Sequence, residues 1–272
     1  MNVKAKELLK KEKYNFDDLC TIMEILRGEG GCPWDMEQDH KSIRGNFIEE
    51  TYEVIEAIDT ENTDLLREEL GDVMLQVVFH ARMEEEVGSF NINDVANDVC
   101  KKLIVRHPHI FADVEADTSE QVLKNWENIK NQEKARKTTT QSLMSIPPSL
   151  PALMRADKAG EKAAKVGFDF STAEEAIAKI DEEVAEFKEA VAKGDSMQVE
   201  EEFGDLLFSA VNSARKLGID SEKALTFAVD KFISRFAEME SEITKNGGNV
   251  AEMTMEELDK VWEIVKKRKN NK

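Results

Sequence analysis

Apolar residues recur at steps of three or four along most of the chain, which is the spacing of one face of an α-helix. The pattern is clearest in two neighbouring segments of each half, residues 47–58 and 66–77, then 177–191 and 203–217. No convincing alternation of apolar and polar positions with a period of two accompanies it. The sequence therefore predicts an all-α protein.

Acidic residues on these segments repeat at a fixed interval. Four of them recur 133 positions later without a gap, so that Glu50, Glu53, Glu69 and Asp72 correspond to Glu183, Glu186, Glu202 and Asp205. Outside this block the match drifts by a few residues, as between "KLIVRH" (102–107) and "KFISRF" (231–236). Such a repeat predicts a tandem duplication of one helical domain.

Three prolines interrupt the helical pattern between the two halves, in "SIPPSLPALM" (145–154). We therefore predict an N-terminal helical domain over residues 1–137, a Pro-rich linker over 138–152 and a C-terminal helical domain over 153–272. Each domain is expected to be a bundle of four or five helices with its acidic hairpin at the centre.

The chain is strongly acidic, with 37 Lys and Arg against 56 Asp and Glu and a net charge of −19. Such a surface repels nucleic acid and anionic membranes, so a phosphorylated substrate needs cations to bridge it to the protein. The 3 Cys residues are too far apart for a thiolate metal site. With no apolar signal region and no long apolar run, the sequence predicts a soluble cytoplasmic protein without nucleic-acid or membrane partners.

The acidic residues are expected to converge within each half. Residues three apart share a helix face, and the two segments are symmetric about residue 61 in the first half and residue 194 in the second. An antiparallel hairpin would place these carboxylates at one height. Oxygen ligands suit hard divalent cations, Mg²⁺ above all, and two such ions activate water and stabilise phosphoryl charge. Gly71 and Gly204 are expected to permit close approach of the helices there.

The motifs "EETYE…EELGD" (49–72) and "EEVAE…EEFGD" (182–205) resemble those of the MazG family of all-α nucleoside triphosphate pyrophosphohydrolases. "GCPWD", "RHPHIF", "SLPALMRA", "VGFDF" and "KFISRF" extend the resemblance from about residue 17 to residue 268, as in a full-length, two-domain member. The resemblance implies homodimers that hydrolyse NTPs and dNTPs, ATP among them, to monophosphate and pyrophosphate. It also implies two or more Mg²⁺ ions per active site, with Mn²⁺ as a substitute.

The resemblance implies roles for individual residues. Metal ligands are expected at the eight repeated carboxylates: Glu183, Glu186, Glu202 and Asp205, and Glu50, Glu53, Glu69 and Asp72. Catalysis is expected from Glu182 and Glu183, with Glu182 orienting or deprotonating the water. Nucleotide contacts are expected from Lys179, Glu182, Lys231, Arg235 and Trp262. The N-terminal copy has Asn46 in place of Lys179, so it lacks one charge that would neutralise phosphate.

Three other classes of protein stay open. A ferritin-like di-iron protein also gathers carboxylates on helices, but it needs paired Glu-x-x-His units, and only Glu37–His40 has that spacing. A prenyl-transfer enzyme with Mg²⁺-binding helices would favour Asp-rich motifs, whereas Glu dominates here. A non-catalytic helical adaptor is the third.

Overall fold

The computed structural model describes residues 3–133 and 138–270, and within those ranges helices are the only regular elements, which confirms the all-α prediction. The first half contains α1 (Val3–Leu8), α2 (Phe16–Arg27), α3 (Pro33–Glu37), α4 (Arg44–Asp59), α5 (Thr63–Glu86), α6 (Ile92–Arg106), α7 (Pro108–Phe111) and α8 (Ser119–Glu133). The second half contains α9 (Thr139–Met144), α10 (Ala152–Ala164), α11 (Ala173–Lys193), α12 (Ser196–Lys216), α13 (Ser221–Lys245), a 3₁₀ turn (Val250–Glu252) and α14 (Met255–Asn270).

The chain divides into two compact units, Met1–Lys130 and Asn131–Lys272. The predicted boundary at residue 137 lies outside the described residues. Within the predicted linker, α9 forms and packs against α10; the domain limits 1–137, 138–152 and 153–272 stay predictions. Each unit has more helical segments than the four or five expected, because short helices form in the connections. Two of these, α3 and α7, begin at a proline, which favours the first position of a helix.

In the first unit, α5 packs against α4 and α2. The later half of α5 contributes three residues to a buried core, Val78, Phe79 and Met83. The Arg27 side chain of α2 lies over the Phe79 ring and forms an ion pair with Glu86 at 2.9 Å. These contacts fix the later half of α5, while its earlier half pairs with α4.

In the second unit, α12 packs against α11 and α10. A Cβ atom at Gly160 of α10 would lie 2.5 Å from Asn212 Oδ1, so this close approach requires glycine. Arg215 and Lys216 both bind the carboxylate of Asp169, which ties the segment before α11 to the end of α12. A separate buried cluster, centred on Met239, Ile243 and Val265, joins α13 to α14.

Both hairpins turn at a residue with positive φ. Glu61 lies between α4 and α5 with φ of 53°, and Gly194 ends α11 with φ of 74°. The next residues, Asn62 and Asp195, begin the following helices, and each side chain accepts a backbone N–H of the first turn. The turns therefore lie at the two positions predicted from the symmetry of the acidic pairs. None of the described helices combines the length and the apolar composition that crossing a bilayer requires.

Candidate functional site

The first acidic cluster joins α4 to α5. One carboxylate oxygen from each of Glu50, Glu69 and Asp72 lies within 4.8 Å of the others. The nearby Glu53 carboxylate raises the pKa of both Glu50 and Glu69. Three of the four carboxylates predicted for the N-terminal copy therefore converge across the hairpin, and Glu53 lies near them.

This arrangement carries an electrostatic cost. Burial raises the pKa of Glu50, and the charge of Asp72 raises it further. Burial also raises the pKa of Glu69, which is 8% exposed, and the Glu53 charge is the next cause. Both carboxyl groups therefore ionise less readily than they would in water, and a cation bound among them would reduce the repulsion between their charges.

The second acidic cluster joins α11 to α12 and brings together one oxygen each from Glu183, Glu186 and Glu202, again within 4.8 Å of one another. Glu183 is only 5% exposed. Burial raises the pKa of Glu186, and the charges of Glu183 and then Glu202 add to the shift. Asp205 is exposed on α12 and is not one of the three converging groups. The structure therefore brings together three of the four carboxylates predicted here.

Lys179 lies inside this second cluster. Its Nζ is 2.8 Å from Glu182 Oε1 and 2.8 Å from Glu183 Oε1. The hydrogen bond to Glu182, followed by that to Glu183, raises the pKa of Lys179. The lysine predicted to contact nucleotide is here a partner of two predicted catalytic carboxylates.

The other predicted nucleotide contacts lie on the α13–α14 pair. Lys231 is exposed on α13, and Arg235 is half-buried one turn later. The Trp262 ring lies 5.3 Å from the Phe232 ring, and it also packs against the buried cluster centred on Met239. Trp262 thus packs between the two helices while its side chain stays partly exposed.

The N-terminal residues that correspond to Arg235 and Trp262 are Arg106 and Trp126. There the guanidinium of Arg106 lies 5.3 Å from the centre of the Trp126 ring, in a cation–π arrangement.

The prediction for Gly71 and Gly204 is wrong. A Cβ atom at either position would meet no atom within 4 Å, and both residues are exposed. The glycines face outwards, so the packing of the two helices of each hairpin does not depend on them.

Histidine takes no part in either cluster. The rings of His40 and His80 contact each other through their Nδ1 atoms at 2.7 Å, and His40 Nε2 lies 2.7 Å from Glu84 Oε1. The single Glu-x-x-His unit is thus engaged elsewhere, and among the described residues both clusters consist of carboxylates alone. A di-iron site of the ferritin type is therefore disfavoured, whereas oxygen donors of this kind fit a hard divalent cation.

Gln76 is a polar residue beside the first cluster that the sequence pattern did not predict. It lies one turn after Asp72 on α5, is 8% exposed, and its Oε1 accepts no hydrogen bond from any described residue. An amide oxygen is an acceptable ligand for a hard cation. Gln76 lies four residues after Asp72, a spacing that places both on one helix face. The second copy has Ser209 at the matching position, so the repeat did not indicate a role for Gln76.

Comparison with known proteins finds the same domain twice. A sequence model described as the MazG nucleotide pyrophosphohydrolase domain matches residues 38–111 and 171–239, so each match contains one acidic hairpin. The nucleoside triphosphate pyrophosphohydrolase/pyrophosphatase MazG of Thermotoga maritima is 48% identical over 251 residues, which are 92% of this chain and 95% of that protein. The nucleoside triphosphate pyrophosphohydrolase of Escherichia coli K12 is 46% identical over 255 residues, which are 93% of this chain and 97% of that protein.

Proposed function

The chain belongs to the MazG nucleotide pyrophosphohydrolase family, and we propose that it hydrolyses NTPs and dNTPs between the α and β phosphates in a Mg²⁺-dependent reaction. The products are a nucleoside monophosphate and pyrophosphate. The observation that carries the proposal is the convergence of three carboxylates across each hairpin, two of which, Glu183 and Glu202, have their counterparts Glu50 and Glu69 in the other cluster. Two relatives that bear the name of this activity align along nearly the whole chain.

The metal ligands in the C-terminal copy would be Glu183, Glu186, Glu202 and Asp205. When bound, Mg²⁺ supplies Lewis-acid activation of water and neutralises phosphate charge, and Mn²⁺ would substitute because it also accepts oxygen ligands. The donor set fits because it is composed of oxygen atoms and carries an excess of negative charge. Asp205, on the turn after Glu202, is proposed as the fourth member although its side chain is exposed.

The chain's own residues would position the nucleotide and move the proton. Glu182, whose side chain is 58% exposed at the rim of the cluster, would orient the attacking water and accept its proton. Lys179, Lys231 and Arg235 would neutralise phosphate oxygens, and Trp262 would contact the nucleotide through its exposed part.

The C-terminal copy is proposed to carry most of the activity. The N-terminal copy has the four carboxylates Glu50, Glu53, Glu69 and Asp72 but no charge at Asn46. A charge-assisted contact to a developing phosphate anion contributes about 3 kcal/mol to a transition state. The N-terminal copy is therefore expected to bind metal and to turn over slowly.

We also propose that the chain forms a homodimer. Large apolar side chains on the second hairpin are nearly half exposed, among them Ile177, Phe203 and Leu207. A second copy would cover this surface, which is costly to leave in water. Light scattering after size exclusion, at micromolar concentration, should give twice the mass of the chain; a monomer would refute this part of the proposal.

The activity is tested by identifying the products of ATP hydrolysis with ³¹P NMR. With Mg²⁺ the products should be AMP and pyrophosphate, and with EDTA no hydrolysis should occur. ADP and phosphate would contradict cleavage between the α and β phosphates. Unchanged turnover in EDTA would contradict the role of the metal.

A further inference from the structure

The C-terminal cluster contains a positively charged group of the protein itself, the ammonium of Lys179. The ammonium of Lys179 lies 2.8 Å from an oxygen of Glu183, which is one of the three converging groups and is almost fully buried. The same ammonium is 2.8 Å from Glu182. Because the Lys179 side chain is one third exposed, it can swing into solvent without disturbing the packing of α11.

The N-terminal copy provides an internal comparison. Asn46 precedes Glu50 by four residues, as Lys179 precedes Glu183, but Asn46 carries no charge. Both positions lie on the first helix of an acidic hairpin, Asn46 in the first turn of α4 and Lys179 in the second turn of α11. At this equivalent position the C-terminal cluster therefore has a positive charge that the N-terminal cluster lacks.

We propose that Lys179 is an exchangeable counter-ion, which holds Glu183 when no divalent cation is present and must release it when one binds. A cation entering the C-terminal cluster competes with this ammonium, whereas none of the described residues places an ammonium or guanidinium in an ion pair with Glu50, Glu69 or Asp72. The C-terminal cluster therefore binds divalent cations more weakly than the N-terminal cluster. This inference rests on the proposed function, because it takes the carboxylates to be metal ligands.

The release of Lys179 from Glu183 would couple metal binding to nucleotide binding. Once it leaves Glu183, the ammonium is free to pair with a phosphate oxygen of the nucleotide, so that metal binding and nucleotide binding favour each other in the C-terminal copy. The N-terminal copy has no group at Asn46 that could link the two events.

The test is a titration of the full chain with Mn²⁺, in which free Mn²⁺ is followed by electron paramagnetic resonance. Glu50→Gln and Glu183→Gln assign the binding classes to the two clusters. Lys179→Met keeps the length of the side chain and removes its charge, and Asn46→Lys installs the charge in the other copy. Lys260→Met, which breaks an exposed i,i+4 ion pair on α14, is the matched control.

We expect Lys179→Met to tighten the Glu183-dependent class about tenfold and Asn46→Lys to weaken the Glu50-dependent class about tenfold, because a neighbouring ammonium repels the divalent cation and solvent screens much of that repulsion. Lys260→Met should change neither class. Unchanged affinities in both Lys179→Met and Asn46→Lys would overturn the counter-ion role and leave the proposed function standing. Absence of any Glu183-dependent class would instead refute the metal site, and with it both proposals.

Discussion

Glu61 and Gly194 occupy the same place in the two hairpins, and both have a left-handed backbone, with φ of 53° and 74°. Glycine adopts this conformation without steric cost, whereas a residue with a Cβ atom loses roughly 1 kcal/mol. The first copy therefore tolerates backbone strain at a position where the second copy has the residue best suited to the turn.

This relationship predicts opposite effects of two substitutions. Gly194→Ala should lower the free energy of unfolding by at least about 1 kcal/mol, because it places a Cβ atom on a left-handed residue. Glu61→Gly should raise it by up to about 1 kcal/mol, because it removes one. Urea denaturation followed by circular dichroism measures both. A neutral Gly194→Ala would contradict this account of the turn.

The outward-facing glycines predict a gain in stability. Gly204→Ala should raise the free energy of unfolding by roughly 1 kcal/mol, since alanine favours a helix interior and its Cβ meets no neighbouring atom. Gly71→Ala should behave in the same way in the first hairpin. The measurement is urea denaturation of each single variant beside the unmodified chain. A loss of stability would mean that something packs closely against this face.

The raised pKa of Glu50 predicts a pH-dependent difference in stability between the chain and its Glu50→Gln variant in EDTA. A carboxyl group whose pKa is raised by folding holds its proton more tightly in the folded state, so ionisation destabilises the fold. The advantage of the variant should be smallest near pH 4, where Glu50 is mostly protonated in both the folded and the unfolded state. Its advantage should grow as the pH rises through the ordinary Glu value of 4.5 towards the raised value.

The control for this prediction is Glu56→Gln, which removes an exposed glutamate from the same helix. Thermal unfolding of all three proteins between pH 4 and pH 7 gives the comparison. If Glu50→Gln and Glu56→Gln show the same pH profile, burial and charge repulsion in the acidic cluster do not destabilise the ionised form of Glu50.

Much of the fold follows from the sequence because the same pattern occurs twice in the chain. A single offset relates Glu50 to Glu183 and Asp72 to Asp205, and the symmetry of Glu50 with Asp72, and of Glu183 with Asp205, predicts the positions of both turns. Predicting the long helices and their pairing into hairpins required only the apolar periodicity and this repeat. The short helices α3, α7 and α9 were not predicted, because a few residues carry too little periodic signal to indicate a helix.

The details of the site were harder to predict, because they depend on how far each helix is rotated about its axis. That rotation is set by packing, and it turned Gly204 and Asp205 outwards. Lys179 illustrates a second limit. A lysine three and four residues before Glu182 and Glu183 can pair with them or reach towards a substrate, and the spacing is compatible with both.

The most direct test compares Glu183→Gln with Glu50→Gln in the full chain. These substitutions remove the same carboxylate from the two copies, and circular dichroism should confirm that both variants keep their helix content. Pyrophosphate release from ATP in Mg²⁺ is then measured for each. We expect Glu183→Gln to lower turnover on the order of 100-fold or more, as removal of a group that stabilises transition-state charge typically does, and Glu50→Gln to change it only a few-fold. Equal losses, or a larger loss in Glu50→Gln, would contradict the assignment of the reaction to the C-terminal hairpin.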